Sequence, residues 1–175
     1  MTRIGAIVNI VLAAFVATAI SPRVSLAQVE IGTDATIQTT LGNGSNVTTV
    51  AIPSASIRVG FYVNPMLSIE PRVGLVVSSG NSAYVTSLSA LVHFRGSPVG
   101  MGPYLRPFAG INGYSGAGDI HQTSVGVGLG TTVNLVSELA GRFEANVGHA
   151  FAASGGSGNS YNVIGANIGL SYFIR

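Results

Sequence analysis

The chain has 175 residues, the length of one domain, and 47% of them are hydrophobic while only 8% are charged. An ordinary soluble domain carries about 25% charged residues, so this chain has little with which to cover a solvated surface. It has no cysteine, which excludes disulfides and thiolate metal sites. Arg3 and Arg23 lie within the first 27 residues, and the six arginines in the rest of the chain balance its six acids, so the net charge gives no argument for nucleic-acid binding.

The first 27 residues have the pattern of a secretory signal peptide. Arg3 gives a positive start, residues 4–20 are mostly apolar, and the small residues Ser25 and Ala27 suit cleavage before Gln28. A transmembrane anchor is the alternative, but 17 residues lie at the lower limit for spanning and no basic cluster follows them. The sequence therefore predicts a signal peptide over 1–27 and one mature domain over 28–175.

The mature part contains eight stretches in which apolar residues alternate with small or polar ones. Each is close to the 9–11 residues, or slightly longer, that a tilted strand needs to cross a bilayer. The predicted strands are 29–40, 53–63, 66–78, 83–94, 104–114, 122–135, 138–151 and 161–174. Longer links rich in Gly, Ser and Asn, at 41–52, 115–121 and 152–160, alternate with tight turns such as Asn64-Pro65. This pattern predicts an all-β fold, an eight-stranded antiparallel up-and-down transmembrane β-barrel.

Charged residues support this fold because they fall on the face opposite to the apolar one. A basic residue that faces lipid at the midplane of the membrane costs about 2–4 kcal/mol, so these residues are expected inside the barrel. Eight charged residues lie on this face of the predicted strands, and four of them are acids and four are arginines. The interior of an eight-stranded barrel is just wide enough for such side chains. The sequence therefore predicts a lumen charge network that plugs the barrel: Glu30, Asp34, Arg58, Glu70, Arg72, Arg106, Arg142 and Glu144.

Prolines and aromatic residues give two further expectations. Pro71 and Pro107 lie within predicted strands, where they cannot donate to a ladder, so a bulge or a strand boundary is expected near each. Aromatic residues gather near the strand ends, which predicts two interfacial belts. The outer belt would contain Tyr84, Tyr114, Phe151 and Tyr161, and the inner belt Phe61, Phe94, Tyr104, Tyr172 and Phe173.

The last strand and one internal strand resemble known sequences. Residues 167–174 resemble the C-terminal signal of outer-membrane proteins, with Asn167, Gly169, Tyr172 and Ile174 at its positions, although many members end in Phe. Residues 103–110, PYLRPFAG, resemble a strand of the OmpA-like and opacity-type small outer-membrane barrels. The resemblance implies insertion into the cell outer membrane by the barrel-assembly machinery. It implies no single activity, because such barrels have mixed functions.

Candidate catalytic, metal and nucleotide sites are weak. Gly126, Gly128 and Gly130 have the spacing of a nucleotide loop but lack its strand-to-helix context, so they are interpreted as small residues facing a narrow lumen. The three histidines have no metal-ligand spacing, and no cofactor is predicted. His149 resembles the histidine of outer-membrane lipid A deacylases, with Ser154 and Glu144 five residues away on either side. The spacing of the serine departs from that family, and Glu144 is predicted to point inward.

The sequence thus predicts a non-enzymatic outer-membrane protein with a structural or surface-interaction role, in envelope integrity or adhesion through its external loops. Its expected partners are outer-membrane lipid, the assembly machinery during insertion and an unidentified surface ligand. No nucleic acid is expected, and the barrel is expected to be a monomer. Two alternatives remain: a lipid-modifying enzyme of the lipid A deacylase type, and a soluble lipocalin-like barrel with apolar residues inside.

Overall fold

The computed structural model describes residues 28–42, 46–51, 56–78, 81–94, 100–115, 120–154 and 159–174, so the predicted signal peptide lies outside the described residues. The described residues form strands and turns. The strands are β1 (Val29–Leu41), β2 (Val47–Ala51), β3 (Ser56–Asn64), β4 (Leu67–Ser78), β5 (Asn81–His93), β6 (Gly102–Ser115), β7 (Ile120–Asn134), β8 (Leu139–Ala150) and β9 (Tyr161–Ile174). Among these residues there is no helix with the length and apolar character needed to cross a membrane.

The strands form one antiparallel sheet that closes on itself. Each strand from β3 to β9 pairs with its neighbour in sequence, and β1 pairs with β9 along its full length, from Val29 opposite Ile174 to Leu41 opposite Asn162. This closure confirms the predicted all-β barrel with eight strand positions. Closure also gives the backbone of the first and last strands a partner, which an open sheet would lack.

The second strand position of the barrel differs from the prediction. β3 pairs with residues 29–33 of β1, while the short strand β2 pairs with residues 36–40 of the same strand. The predicted loop over 41–52 is therefore wrong in part, since Val47–Ala51 is strand. β3 covers the predicted strand over 53–63 from Ser56 onward and ends at Asn64, and the first three residues of that prediction lie outside the described residues. Thr48 and Thr49 sit opposite Thr39 and Gln38, and the β-branched residues of β2 suit an extended backbone.

The strands run through both prolines, so the predicted bulges or boundaries are wrong. Pro71 keeps its register with β5, opposite Leu88, and Pro107 keeps its register with β7, opposite Val127. On their other sides the ladders skip two pairs near each proline and resume in the same register. Proline lacks a backbone donor, and these interruptions are the local consequence.

Most outward positions of the barrel are apolar, and many of their side chains are exposed. Because side chains alternate along a strand, the register of each strand sends one set outward and the other into the lumen. Exposed members of the outward set occur on all eight strand positions, and examples are Ile31, Ile57, Val73, Leu88, Leu105, Val127, Leu129, Phe143, Val147, Ile168 and Leu170.

The two ends of the barrel differ. At one end, called the terminal end, lie Val29, Ile174 and the short connections β3–β4 and β7–β8. The backbone N–H of Met66 donates to Asn64 Oδ1 at 2.8 Å, and the N–H of Val136 donates to the Leu139 carbonyl at 3.1 Å, so both connections are tight turns. The opposite end, called the loop end, carries the longer links that follow β1, β6 and β8.

Candidate functional site

The eight predicted lumen charges, here called the lumenal network, all lie inside the barrel. Seven of them are buried, with at most 5% of their surface exposed, and the Arg72 side chain is 15% exposed. They come from β1, β3, β4, β6 and β8. Side chains alternate between the two faces of a strand, and these residues occupy the positions that alternate with the exposed apolar ones, so they point into the lumen.

Arg58 lies at the centre of the first group of ion pairs. Its guanidinium contacts Glu30, and it donates to Asp34 Oδ1 at 3.2 Å and to Glu70 Oε2 at 3.4 Å. It also donates to the hydroxyl of Ser171 at 2.7 Å. One arginine therefore faces three carboxylates, and every charge has a partner of opposite sign.

Glu144 is the centre of the second group. Arg106 donates two hydrogen bonds to it, from Nε to Oε2 at 2.7 Å and from Nη2 to Oε1 at 2.5 Å. Asn167 Nδ2 donates to Oε1 at 3.0 Å, and the Tyr104 hydroxyl donates to Oε2 at 3.1 Å. Such two-pronged arginine–carboxylate contacts combine charge with fixed geometry.

Arg142 connects the two groups into one network. Its guanidinium contacts Glu70 and lies 3.3 Å from Glu144 Oε2, and its Nε donates to the Tyr104 hydroxyl at 2.7 Å. Its guanidinium also lies 4.8 Å from the centre of the Tyr104 ring. Burial of charges is costly, and this connected pairing is what offsets that cost.

Glycines on neighbouring strands make room for these long side chains. A Cβ at Gly128 would lie 2.7 Å from the carboxylate carbon of Glu144. Cβ atoms at Gly32, Gly130 and Gly169 would collide with Arg58, Tyr104 and Asp34 respectively. The sequence interpretation of Gly126, Gly128 and Gly130 as small lumen-facing residues agrees with this arrangement, since a Cβ at Gly126 would meet the Phe108 ring.

Aromatic side chains close the terminal end of the lumen, and this cluster was missed at the sequence level. Tyr62, Tyr104, His93 and Phe173, here called the aromatic cap, are each at most 2% exposed. The His93 ring lies between the rings of Tyr62 and Tyr104, at centroid distances of 5.6 and 5.8 Å. Met101 packs against the same cluster, so the chain that leads into β6 covers this opening.

The cap corrects the predicted aromatic belts. Tyr104 and Phe173 are inside the lumen, and at the loop end Tyr161 also turns inward, where its hydroxyl donates to Gln122 Oε1 at 2.6 Å. Tyr172 and Phe94 are exposed, at 52% and 46%. The alternation of side chains along each strand could have predicted the cap. Tyr104 lies two residues from the inward Arg106, and Tyr62 lies four residues from the inward Arg58, so both share the inward phase.

The loop-end half of the lumen is hollow. A cavity of about 280 Å³ lies there, above the lumenal network, bordered by hydroxyl and amide side chains and also by apolar ones, among them Val85, Phe108, Val125 and Val163. Its lining includes Thr36, Gln38, Thr49, Ser87, Asn112, Ser124, Asn146 and Tyr161, with Arg72 and Arg106 at the level of the network. The sequence prediction of a plug therefore describes only the terminal half of the lumen.

The four predicted assembly-signal residues divide between the two faces of β9. Asn167 and Gly169 are buried and face Glu144 and Asp34. Tyr172 and Ile174 face outward, at 52% and 47% exposure, and their strand forms the closing ladder with β1. They thus present an aromatic and an aliphatic side chain on the outer surface at the terminal end.

Residues of the candidate Ser–His–acid set are not brought together. His149 Nδ1 is 2.9 Å from Asn162 Oδ1, whereas Ser154 Oγ donates to the backbone carbonyl of His121 at 3.3 Å. Glu144 lies in the lumen within the network. In the described part of the chain there is also no group of three or more His, Cys, Asp or Glu side chains arranged to hold a metal ion.

Solved structures with a similar fold include outer-membrane barrels from three bacterial groups. Neisserial surface protein A (NspA) aligns with a TM-score of 0.57 and 14% identity, over 82% of this chain and 96% of that one. The N-terminal β-barrel domain of Pseudomonas aeruginosa OprF aligns with a TM-score of 0.44 and 15% identity, over 84% and 97%.

The third is Ail, the attachment invasion locus protein of Yersinia pestis, in complex with the heparin analogue sucrose octasulfate, with a TM-score of 0.48 and 13% identity, over 85% and 99%. No protein-family model and no curated protein sequence matches the chain. The likeness to NspA confirms the fold, a small eight-stranded barrel of the outer-membrane type.

Proposed function

We propose that this chain is a non-enzymatic protein of the bacterial outer membrane, anchored by its barrel, with a structural or surface-interaction role at its loop end. The observation that carries the proposal is the distribution of side chains: exposed apolar residues on every outward face, and eight charges inside. That arrangement suits a barrel surrounded by lipid, because backbone groups pair within the closed sheet and the outward side chains are uncharged and mostly apolar.

The same distribution argues against a soluble lipocalin-like barrel. A soluble ligand-binding barrel keeps apolar side chains inside and polar ones outside. Here Arg58 and Arg142 are inside, at 1% and 2% exposure, while Leu129 and Ile168 are outside, at 58% and 59%. The faces are reversed, so that alternative is wrong.

A hydrolytic role has no support from the residues that suggested it. A nucleophile must reach a general base, and the base must be held by a third group. His149 is hydrogen-bonded to Asn162 and Glu144 to arginines, so neither group of the proposed set serves the other. The supported role is that of a rigid scaffold for loops, and such loops commonly carry binding.

Fractionation of the native host tests the location. The full chain should appear in the outer-membrane fraction and migrate faster in an unboiled than in a boiled detergent gel, because a closed barrel resists unfolding by detergent. Its N-terminus should be Gln28, as the predicted cleavage requires. Recovery in the periplasm, or in a membrane fraction with Met1 intact, would contradict the proposal.

A deletion strain separates the two candidate roles. Loss of envelope integrity should raise sensitivity to bile-type detergents, whereas a purely adhesive role should leave sensitivity unchanged and lower attachment to surfaces. Complementation with a chain that carries a charged peptide tag inserted after Gly118 and after Gly156 gives the matched comparison, because residues 155–158 already read Gly-Gly-Ser-Gly and a substitution by Gly and Ser would leave that loop unchanged. A phenotype that this chain restores belongs to the barrel itself, and one that it fails to restore belongs to the loops.

The assembly signal is a second proposal, and it rests on the outward position of Tyr172 and Ile174. The double substitution Tyr172→Asp and Ile174→Asp should abolish insertion and leave degraded protein in the periplasm. Val29→Asp with Ile31→Asp is the matched control, because Val29 and Ile31 lie opposite Ile174 and Tyr172 on β1. Equal failure of both double variants would mean that the effect is the cost of charge in lipid and that β9 carries no signal.

A further inference from the structure

We infer that the loop-end cavity is a binding site for a small anionic solute with hydroxyl groups, of the size and chemistry of a sugar acid, with its carboxylate on Arg72. The inference goes beyond the proposed function and does not require it, since it concerns the purified barrel. Its starting point is that, among the described residues that line the cavity, no acidic residue occurs, whereas Arg72 and Arg106 do.

The two arginines are not equivalent. Arg106 uses three of its nitrogens, two on Glu144 and one on the Ser89 hydroxyl at 2.9 Å, and it stacks 4.6 Å from the centre of the Phe108 ring. Arg72 makes one hydrogen bond within the described chain, from Nη2 to Asp34 Oδ2 at 2.8 Å. Because a guanidinium has five N–H donors, Arg72 keeps donors for a further partner.

Arg72 also shares its ion-pair partner, Asp34, with Arg58. Asp34 accepts from Arg58 through Oδ1 as well as from Arg72 through Oδ2, so its charge serves two guanidinium groups. The Arg72 side chain is the most exposed of the arginines in the ion pairs, at 15%, and it borders the cavity. A carboxylate of a solute is the kind of group that a half-paired guanidinium at the floor of a cavity binds best.

The walls supply uncharged groups that suit hydroxyls. Gln38, Asn112 and Asn146 border the cavity, and none of these amides has a side-chain hydrogen bond within the described residues. Each offers both donors and an acceptor, which is what a polyhydroxylated solute requires. A volume of about 280 Å³ admits a solute of monosaccharide size, since it lies at the lower end of the range of ligand pockets, which begins at about 300 Å³.

Titration of the purified full barrel in detergent, followed by calorimetry or by the arginine side-chain resonances, tests the inference. Sodium glucuronate should bind saturably, while glucose, its neutral analogue of similar size, should bind at least about tenfold more weakly, because it lacks the charge-assisted bonds to Arg72. Sodium sulfate at equal ionic strength should also bind more weakly, because it lacks the hydroxyls. Binding of glucose as tight as that of glucuronate would overturn the role of Arg72 as the carboxylate site. Binding of sulfate as tight as that of glucuronate would overturn the role of the amide side chains as hydroxyl sites.

Two variants connect binding to the cavity. Arg72→Gln should weaken glucuronate binding about tenfold or more, and Asp34 still has Arg58 as a partner in that variant. Ser124→Phe should fill the cavity and abolish binding without touching the lumenal network. Thr123→Phe, one residue away on the outward face of β7, is the control and should bind as the parent does.

The gel shift on boiling shows that each variant is folded. If folded Ser124→Phe binds glucuronate as the parent does, or if the parent shows no saturable binding, the cavity is not the site. These outcomes are independent of the cellular location, so the proposed function and this inference can fail separately.

Discussion

The two halves of the lumen have the same wall but opposite interiors. In the terminal half, long charged and aromatic side chains are packed so closely that Arg58, Arg142 and Tyr104 are at most 2% exposed. In the loop-end half, hydroxyl, amide and apolar side chains, most of them short, border a cavity of about 280 Å³. A barrel of eight strands can therefore be either filled or hollow at the same circumference.

Side-chain length across neighbouring strands decides which half is filled. In the terminal half a long side chain lies over a glycine on the next strand, as Glu144 does over Gly128 and Arg58 over Gly32. In the loop-end half, short side chains such as Ser87 and Ser124 border the space and leave it open. The packed half should therefore provide the stability of the barrel, and the hollow half should tolerate change.

The largest expected effect is the loss of Arg142. Arg142→Ala leaves Arg58, at 3.4 Å, as the ion-pair partner of Glu70 within the described part of the chain, and it removes one cation from Glu144. Removal of one partner from a buried pair costs about 3–5 kcal/mol. The urea midpoint of unfolding in phospholipid vesicles should fall accordingly, and the outward Val127→Ala, which loses only lipid contacts, should cost less than about 1.5 kcal/mol. Equal midpoints for the two variants would mean that the terminal half is not the stabilising half.

A smaller effect is expected from filling a glycine site beneath the network. Gly128→Ala places a methyl group 2.7 Å from the carboxylate carbon of Glu144, and overpacking of this kind costs about 1–3 kcal/mol. Gly141→Ala is the matched control, because the nearest atom to its added Cβ is 3.6 Å away, on the Phe143 ring. The same unfolding assay should separate the two variants, and a midpoint of Gly128→Ala equal to that of Gly141→Ala would contradict the role of the glycines.

A change in the hollow half should have almost no effect on stability. Asn112 is exposed and borders the cavity, and no hydrogen bond of its side chain is formed within the described residues. Asn112→Ala should therefore change the free energy of unfolding by no more than about 0.5 kcal/mol. A loss as large as that of Gly128→Ala would show that the loop-end half contributes to stability as the terminal half does.

The last expected outcome is an absence of conductance. The lumenal network and the aromatic cap lie between the cavity and the terminal end. Planar-bilayer recordings of the purified parent should therefore show no stable current steps. Discrete, reproducible steps would mean that the packed half opens in the membrane and that the barrel is a pore.

Much of the fold could be predicted from the sequence because alternation with a period of two assigns each residue to a face. The eight strand positions and the inward phase of Glu30, Arg106 and Glu144 follow from that rule alone. It failed for β2, because a short Thr- and Val-rich strand within a polar link carries too few alternations to stand out. A different expectation failed at Pro71 and Pro107, where the missing donor predicts a bulge or a strand boundary but the rest of the ladder keeps the register.

The candidate sites show the same limit. The alternation along the strands indicates that Arg72 and Arg106 both face inward. It cannot indicate that all three guanidinium nitrogens of Arg106 donate to Glu144 or Ser89, while Arg72 keeps donors for a further partner. That difference depends on which strands lie across the lumen. The sequence does not predict the aromatic cap for a related reason: an aromatic residue near a strand end indicates the membrane interface, whereas the phase of Tyr104 along β6 indicates the lumen.

The sequence by itself determined the class of fold, the apolar outer surface and the set of charges inside, because each of these depends only on local spacing. Only the tertiary structure decided that the charges form one network around Arg58, Arg142 and Glu144, that an aromatic cap closes one end, and that a cavity remains at the other. These features depend on distances across the closed barrel, where side chains far apart in the chain meet, and no local pattern contains those distances.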